Sequence, residues 1–152
     1  MQTSRNINIS IRNQKLTVSD GDTRIRSYPV STSRFGVGTE EGSMKTPTGR
    51  FSVAKKIGGD MPSGTIFRSR VPLNSSDPLP PTEDLVMSRI LWLGGLDEQN
   101  ANTRDRFIYI HGTKHEHKIG TPDSCGCVRM RNADVIELFD LVDEGTPVII
   151  EA

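Results

Sequence analysis

Ile108-Tyr109-Ile110-His111-Gly112-Thr113 and Ser124-Cys125-Gly126-Cys127-Val128-Arg129-Met130 are the segments that decide how this chain is read. Together with the loop between them they hold all 3 histidines and both cysteines. Residues 107–110 are aromatic or β-branched, as a strand requires, and the expectation is that this strand delivers His111 at its end, where Gly112 breaks it. A loop carrying Gly120, Thr121 and Pro122 then leads to the cysteines. One imidazole and one thiol are thereby placed on neighbouring loops.

A free cysteine has a pKa of about 8.5, so little of it is the nucleophilic thiolate at neutral pH. An adjacent imidazole corrects this. His111 would take the Cys127 proton, and backbone N–H groups around Gly126 and Cys127 would hold a developing oxyanion, since glycine lets the chain turn tightly beside the nucleophile. The constellation suits acyl transfer.

The same residues carry a family resemblance. His111-Gly112-Thr113, a loop, and then Ser124-x-Gly126-Cys127-Val128-Arg129-Met130 resemble the signature of the L,D-transpeptidase catalytic domain (YkuD-like) family. Thr46-Pro47-Thr48-Gly49-Arg50-Phe51 is similar to that family's upstream Thr-Pro-x-Gly-x-Phe segment, and residues 134–150 to its closing helix and strand. Nearly the whole chain is covered. In one place it departs from the pattern: Cys125 stands where many members have a second histidine, so that imidazole's role does not carry over.

Composition limits the other possibilities. A chain of 152 residues suits one domain, read here as residues 1–152, with 34% hydrophobic residues, 14 glycines and 9 prolines pointing to short elements joined by turns rather than a bundle. Lys+Arg and Asp+Glu both number 19, so no excess charge favours nucleic acid or an anionic membrane surface as partner. Met1-Gln2-Thr3-Ser4-Arg5-Asn6 has no apolar core of signal-peptide length and no stretch approaches a membrane span, so the expected location is the cytoplasm, with the periplasm or cell wall as the alternative if a leader was trimmed. Two cysteines a single residue apart read as reactive thiols rather than a disulfide framework.

In chain order, residues 7–11 alternate as a half-buried strand, Asn13-Gln14 turns it, residues 15–18 continue it, and residues 24–31 follow the Asp20-Gly21-Asp22 turn as a third strand. An antiparallel meander results. Residues 31–49, with Gly36, Gly38, Gly42, Gly49 and Pro47, form a long loop whose final corner packs beneath the site; no Gly-Lys-Ser/Thr ending marks it as a nucleotide cradle. Residues 51–57 and 65–71 read as strands across a Gly58-Gly59-Asp60 turn, and residues 73–84, with Pro78, Pro80 and Pro81, as an exposed extended segment. Residues 85–93 form a buried strand with Trp92 in the core, residues 96–106 a polar connection. Asn132 caps a helix with Val135, Ile136, Leu138, Phe139 and Val142 inward, Gly145 ends it, and residues 146–151 make a last strand. The fold class is mainly β with one clear C-terminal helix, and the resemblance implies the β-rich L,D-transpeptidase sandwich or barrel.

Other readings compete at the centre. His111, His115, His117, Cys125 and Cys127 would together offer zinc ligands, although no standard spacing is matched; Cys127 as an inert buried thiol is the structural alternative. Arg129 suits either an ion pair or a substrate carboxylate, Ser124 suits loop shaping more than attack, and Cys125 is spacer, packing residue or redox partner. The resemblance implies Cys127 as nucleophile and His111 as base, its ring oriented by the Gly112 carbonyl. It also implies an oxyanion hole from the amides of Cys125, Gly126 and Cys127, with Arg129, Ser124 and Tyr109 as candidate substrate contacts. No metal or cofactor is called for.

The expected partners are peptidoglycan stem peptides or muropeptides. The expected activity is L,D-carboxypeptidase action in murein recycling: water resolves the thioester and releases terminal D-alanine from a tetrapeptide. The alternatives are an L,D-transpeptidase forming cross-links or exchanging D-amino acids and, from another class, an inactive muropeptide-binding or zinc-organised module.

Overall fold

Apolar and polar residues alternate in the first strands, and that alternation starts the sheet. The computed structural model describes residues 4–74, 76–79 and 85–152. In it β1 (Arg5–Ser10), β2 (Lys15–Asp20) and β3 (Thr23–Pro29) form the antiparallel meander expected from the sequence. β3 stops earlier than expected because at Ser31 the backbone turns to bridge Arg129 instead.

β4 (Gly49–Ile57) follows the long loop. Residues 65–71 are two strands, not one: β5 (Ile66–Arg68) and β6 (Val71–Pro72) form a hairpin about Ser69 and Arg70, which lie at φ 48° and 69°. Two left-handed residues in a hairpin turn are normally announced by Asn-Gly, and Ser-Arg gives no such signal. Nor do β4 and β5 pair with each other; both pair with β7 (Val86–Gly95). Of the proline-bearing segment, residues 73, 74 and 76–79 carry no strand and only Leu73 is partly covered, while 75 and 80–84 lie outside the described residues.

β8 (Tyr109–Gly112), β9 (Val128–Met130), α1 (Asn132–Leu141) and β10 (Pro147–Glu151) complete the chain. The sheet runs β3-β2-β1-β10-β4-β7-β5-β6, with β8 on β7 and β9 on β8. β10 lies parallel to β1 and antiparallel to β4. Its register pairs Ile7 with Val148 and Ile9 with Ile150, each 1% exposed or less. A slip of β10 by one residue would turn Val148 and Ile150 to solvent, a loss of about 3–6 kcal/mol at 1.5–3 kcal/mol each, so alternation alone fixes the register.

One core joins both layers. Ile7, Ile9, Leu16, Phe51, Leu91, Leu93, Ile110 and Val128 from the sheet pack with Val135, Leu138, Phe139 and Val142 from the helical segment, which lies across β7 and β8. Ile136 is only partly buried. Asn132 does not cap α1; it is the first helical residue, after Arg131, and its N–H is taken by the Glu116 carboxylate at 2.7 Å. Its own amide donates to Thr113 O (2.9 Å) and accepts from Ser88 Oγ (2.6 Å). The helix ends at Leu141, where Val142 is already extended, and Gly145 (φ 94°) instead shapes the turn into β10. No helix among the described residues is long and apolar enough to cross a membrane.

Candidate active site

The parallel pairing of β8 with β9 builds the site. Ile110 lies opposite Val128, His111 opposite Arg129 and Gly112 opposite Met130. Residues opposite each other share a face and successive residues alternate, so Ile110, Val128 and Met130 face the core while His111 and Arg129 take the other side. Tyr109 and Cys127, one pleat earlier, lie on the His111 side: the Tyr109 N–H meets Cys127 Sγ at 3.3 Å. The thiol in turn donates to the Phe107 carbonyl at 3.4 Å.

Two expectations about this strand are corrected. It begins at Tyr109, because Phe107 sits at φ 56° and is 48% exposed, its left-handed backbone presenting its carbonyl to the thiol. His111 lies within the strand, 1% exposed, and Gly112 continues the pairing rather than breaking it. Glycine is needed there for another reason: a Cβ would strike Asn132 Oδ1 and come within 2.8 Å of Met87 O. It admits the close passage of α1 and β7.

His111 Nδ1 lies 2.5 Å from Gly112 O. A carbonyl only accepts, so Nδ1 carries the proton and the neutral ring's lone pair is on Nε2. A buried imidazole in that tautomer has the form a general base requires.

The loop that carries Cys127 is shaped by hydroxyls. Fully buried Ser124 donates from Oγ to Cys127 O (2.6 Å) and receives the Gly126 N–H at 3.3 Å, which places it inside the turn rather than in contact with solvent. Of the three amides assigned to an oxyanion hole, that of Gly126 therefore faces a hydroxyl. Gly126 stands at φ 125°, a conformation open to glycine. Thr46, fully buried, accepts the Ser33 N–H (2.9 Å) and donates to Gly126 O (3.0 Å), which is how the 46–51 corner supports the site from below. Behind it Thr32 O receives the N–H groups of Asp123 and Ser124, both at 2.9 Å, while the Gln14 amide clasps Thr32 at N (3.1 Å) and Oγ1 (2.7 Å). Neither Gln14 nor Thr32 carries a chemical signal that sequence reading would find.

Arg129 is 3% exposed and its Nη1 lies 2.6 Å from Asp123 Oδ2. Burial pushes the Asp123 carboxyl up, but the Arg129 hydrogen bond and charge, with Lys118 and Arg34, outweigh it and hold the pKa below the ordinary carboxylate value. The ion-pair reading of Arg129 is the arrangement present, bracing the loop just ahead of Cys127.

A cleft of about 340 Å³ opens over the thiol, lined by Glu41, Met44, Asp105, Arg106, Cys125 and Cys127 among others. Cys125 and Cys127 are both partly exposed and unbridged. Arg106, read from sequence as polar connection, donates to Lys45 O at 2.7 Å and so holds the 31–49 loop over the cleft. Trp92 is not in the main core. It is partly exposed, 5.8 Å from the rings of both Phe107 and Tyr109, with Arg70 and Arg104 each 4.9 Å from its own ring. The long gap from 92 to 109 hid this cluster from any local pattern. Buried Tyr109 donates its backbone N–H to the site while its phenol receives Arg70 Nη1 at 2.8 Å. His115 and His117 meet edge to face, ring centres 6.0 Å apart, at a single exposed helical turn (Glu116–Lys118). Among the described residues no three His, Cys, Asp or Glu side chains converge as metal ligands, which leaves the zinc-organised reading without a ligand set.

The chain resembles known proteins in sequence and in fold. The YkuD protein of Bacillus subtilis (strain 168) is 31% identical over 144 residues, 95% of this chain and 64% of its own length. YqjB of the same organism is 42% identical over 60 residues, 39% of this chain and 32% of its own. The chain thus spans less than two thirds of these relatives. Among solved structures, an L,D-transpeptidase from Xylanimonas cellulosilytica superposes with TM-score 0.65 at 19% identity, over 99% of this chain and 62% of that one. L,D-transpeptidase 3 from Mycobacterium tuberculosis, with a faropenem-derived adduct, gives 0.64 at 20%, over 98% and 60%. At such identities these structures establish the fold. The YkuD family, the L,D-transpeptidase catalytic domain, matches residues 4–150, and to that family the chain belongs.

Proposed function

We propose that the chain is a cysteine-dependent L,D-carboxypeptidase acting on peptidoglycan tetrapeptide stems. The carrying observation is Cys127 on the same side of the β8–β9 pair as a buried His111 whose Nδ1 is fixed on Gly112 O. His111 Nε2 takes the Sγ proton, and the thiolate adds to the carbonyl joining the L-centre of diaminopimelate or lysine to D-alanine. Backbone amides of the 125–127 turn other than that of Gly126, which is turned to Ser124 Oγ, stabilise the oxyanion. The C–N bond breaks, the imidazolium returns its proton to the departing D-alanine amine, and a thioester remains. Water, activated by the same imidazole, adds to the thioester, releasing tripeptide acid and restoring the thiol.

Both cysteines are partly exposed in the cleft, so water reaches a thioester formed there, and it is the one acceptor that needs no binding site of its own. We place the reaction in the cytoplasm, among fragments returned from the wall, a proposal that fractionation of the full-length gene product tests directly.

Mass spectrometry of enzyme incubated with tetrapeptide, alone and with a competing muropeptide amine, tests the activity. Tripeptide and free D-alanine are expected in both cases. Dominant cross-linked dimer would make the wall transpeptidase the better reading, and stem-peptide affinity with no product at all would leave the inactive binding module.

A further inference from the structure

Of the cations around Cys127, two are occupied by the protein itself. Arg129 is buried against Asp123, and Arg106 has its guanidinium on the carbonyls of Gly38 (3.3 Å) and Lys45 (2.7 Å). Arg70 differs. It is partly exposed, and among the described residues its one hydrogen bond is from Nη1 to the Tyr109 phenol, 2.8 Å; no carboxylate there pairs with it. Its guanidinium carbon lies 4.9 Å from the Trp92 ring centre and 5.0 Å from that of Phe107.

These contacts hold Arg70 in relation to the nucleophile. Phe107 and Tyr109, which position the guanidinium with their side chains, are the residues whose backbone carbonyl and N–H touch the Cys127 sulfur. The Tyr109 phenol feels both neighbours: burial pushes its pKa above the ordinary value, Arg70 opposes that and Cys127 adds to it. Arg70 also occupies a hairpin turn at φ 69°, next to Ser69 at φ 48°, where a glycine would be at ease. Left-handed arginine is uncommon enough to invite a functional account. The Trp92 and Phe107 rings both lie within cation–π range of the guanidinium, and its one hydrogen bond leaves most of its five N–H donors for a planar two-point acceptor.

We propose that Arg70 binds a carboxylate of the acyl donor, foremost the terminal carboxylate of the departing D-alanine. This rests on the stem-peptide reading above and names a specificity-determining residue for it. The terminal carboxylate lies one residue, roughly 3.5 Å, beyond the scissile carbonyl. A stem extended by another residue has a neutral amide at that point, so Arg70 selects tetrapeptides over pentapeptides. Diaminopimelate carries a second carboxylate on its side chain, and the two sources are separable by amidating one at a time.

The experiment measures binding by calorimetry in a Cys127→Ala background, which holds stems without consuming them. Three ligands are compared: tetrapeptide, its terminal amide, and tetrapeptide with the diaminopimelate side-chain carboxylate amidated. With Arg70 present the terminal amide should bind about tenfold or more weakly, the scale of a lost charge-assisted bond, and in Arg70→Gln this difference should shrink to less than about twofold. The same coupling on the side-chain amide instead would keep Arg70 as carboxylate receptor and move it to the other source. Equal discrimination by Arg70 and Arg70→Gln proteins, at matched Tm, overturns the proposal. If Arg70→Gln does not fold, Arg70→Lys serves, with partial loss of discrimination expected and full retention counting against the proposal. Failure of every stem to bind the Arg70 protein would instead bring down the stem-peptide reading, and this inference with it.

Discussion

Thr46→Val deletes one hydroxyl and keeps the side-chain shape. Thr46 Oγ1 is buried and makes two bonds, receiving the Ser33 N–H at 2.9 Å and donating to Gly126 O at 3.0 Å. Valine leaves one buried donor and one buried acceptor without partners, each costing about 1–3 kcal/mol. Some relaxation of the loop relieves part of this, so the expected loss of stability is roughly 2–4 kcal/mol. Urea unfolding should show a lower midpoint with unchanged slope. The peptide freed at Gly126 belongs to the turn assigned to the oxyanion, so kcat for D-alanine release should fall as well. Losing a whole oxyanion donor costs about 10²–10³-fold; a loosened turn should cost about tenfold or more. Thr46→Ser, which keeps the hydroxyl, is the control and should recover most of both. A Thr46→Val protein within about 0.5 kcal/mol of wild type and with wild-type kcat would refute the claim that this hydroxyl holds the nucleophile turn.

Cys127→Ala should abolish D-alanine release and labelling by a mild thiol alkylator at that position, while Cys125→Ala keeps most of the turnover; equal loss from both would undo the assignment. His111→Gln should lower kcat/KM by about a hundredfold or more, as loss of a general base does, with His115→Ala and His117→Ala mild by the same stopped assay. The Asp123 carboxyl has its folded pKa below the unfolded value, so the stabilisation it provides is complete above about pH 4 and is lost as pH falls through the folded pKa. In urea titrations Asp123→Asn should therefore show a shallower loss of stability than wild type between about pH 5 and pH 2, and an unchanged slope would mean the ion pair with Arg129 is not what acid breaks.

Much of this was legible because two periodicities carry it. Alternation at Ile7, Ile9, Val148 and Ile150 marks strands that have one face on a core, and the helical spacing of Val135, Leu138 and Val142 marks α1. Cys127 and His111 stand out in the sequence as candidates, since few residue types can act as nucleophile or base, and the structure places them on one side of the β8–β9 pair. What sequence could not supply were contacts whose partners are far apart and ordinary. Gln14 looks like a turn residue and is a buried clasp on Thr32; Asn132 looks like a cap, yet the Glu116 carboxylate takes the helix's first N–H while the Asn132 side chain ties Thr113 to Ser88. Hydrophobicity alone puts Trp92 in the core, whereas its neighbours come from two separate connections, Arg70 from the β5–β6 turn and Arg104 and Phe107 from the β7–β8 connection. The β5–β6 turn was missed because left-handed Ser-Arg breaks the usual turn chemistry.

The place of β10 between β1 and β4 bears on how the molecule comes into being. It is the last of the described strands to be synthesised, and it pairs Ile7 with Val148 and Phe51 with Val148 on its two sides. Until it docks, β1 and β4 each present an open edge of unpaired backbone groups, and the meander is joined to the rest of the sheet only through the 31–33 segment and its bridges to Ser124 and Arg129. Joining them requires closing nearly the full length of the chain, the kind of non-local step that makes β-rich proteins slow to fold. A ribosome that stalls before Pro147 would therefore release a chain with two open strand edges ready to pair with other chains. Folding of this protein is expected to be all or none on that one strand, with chaperone demand concentrated in the interval before it emerges.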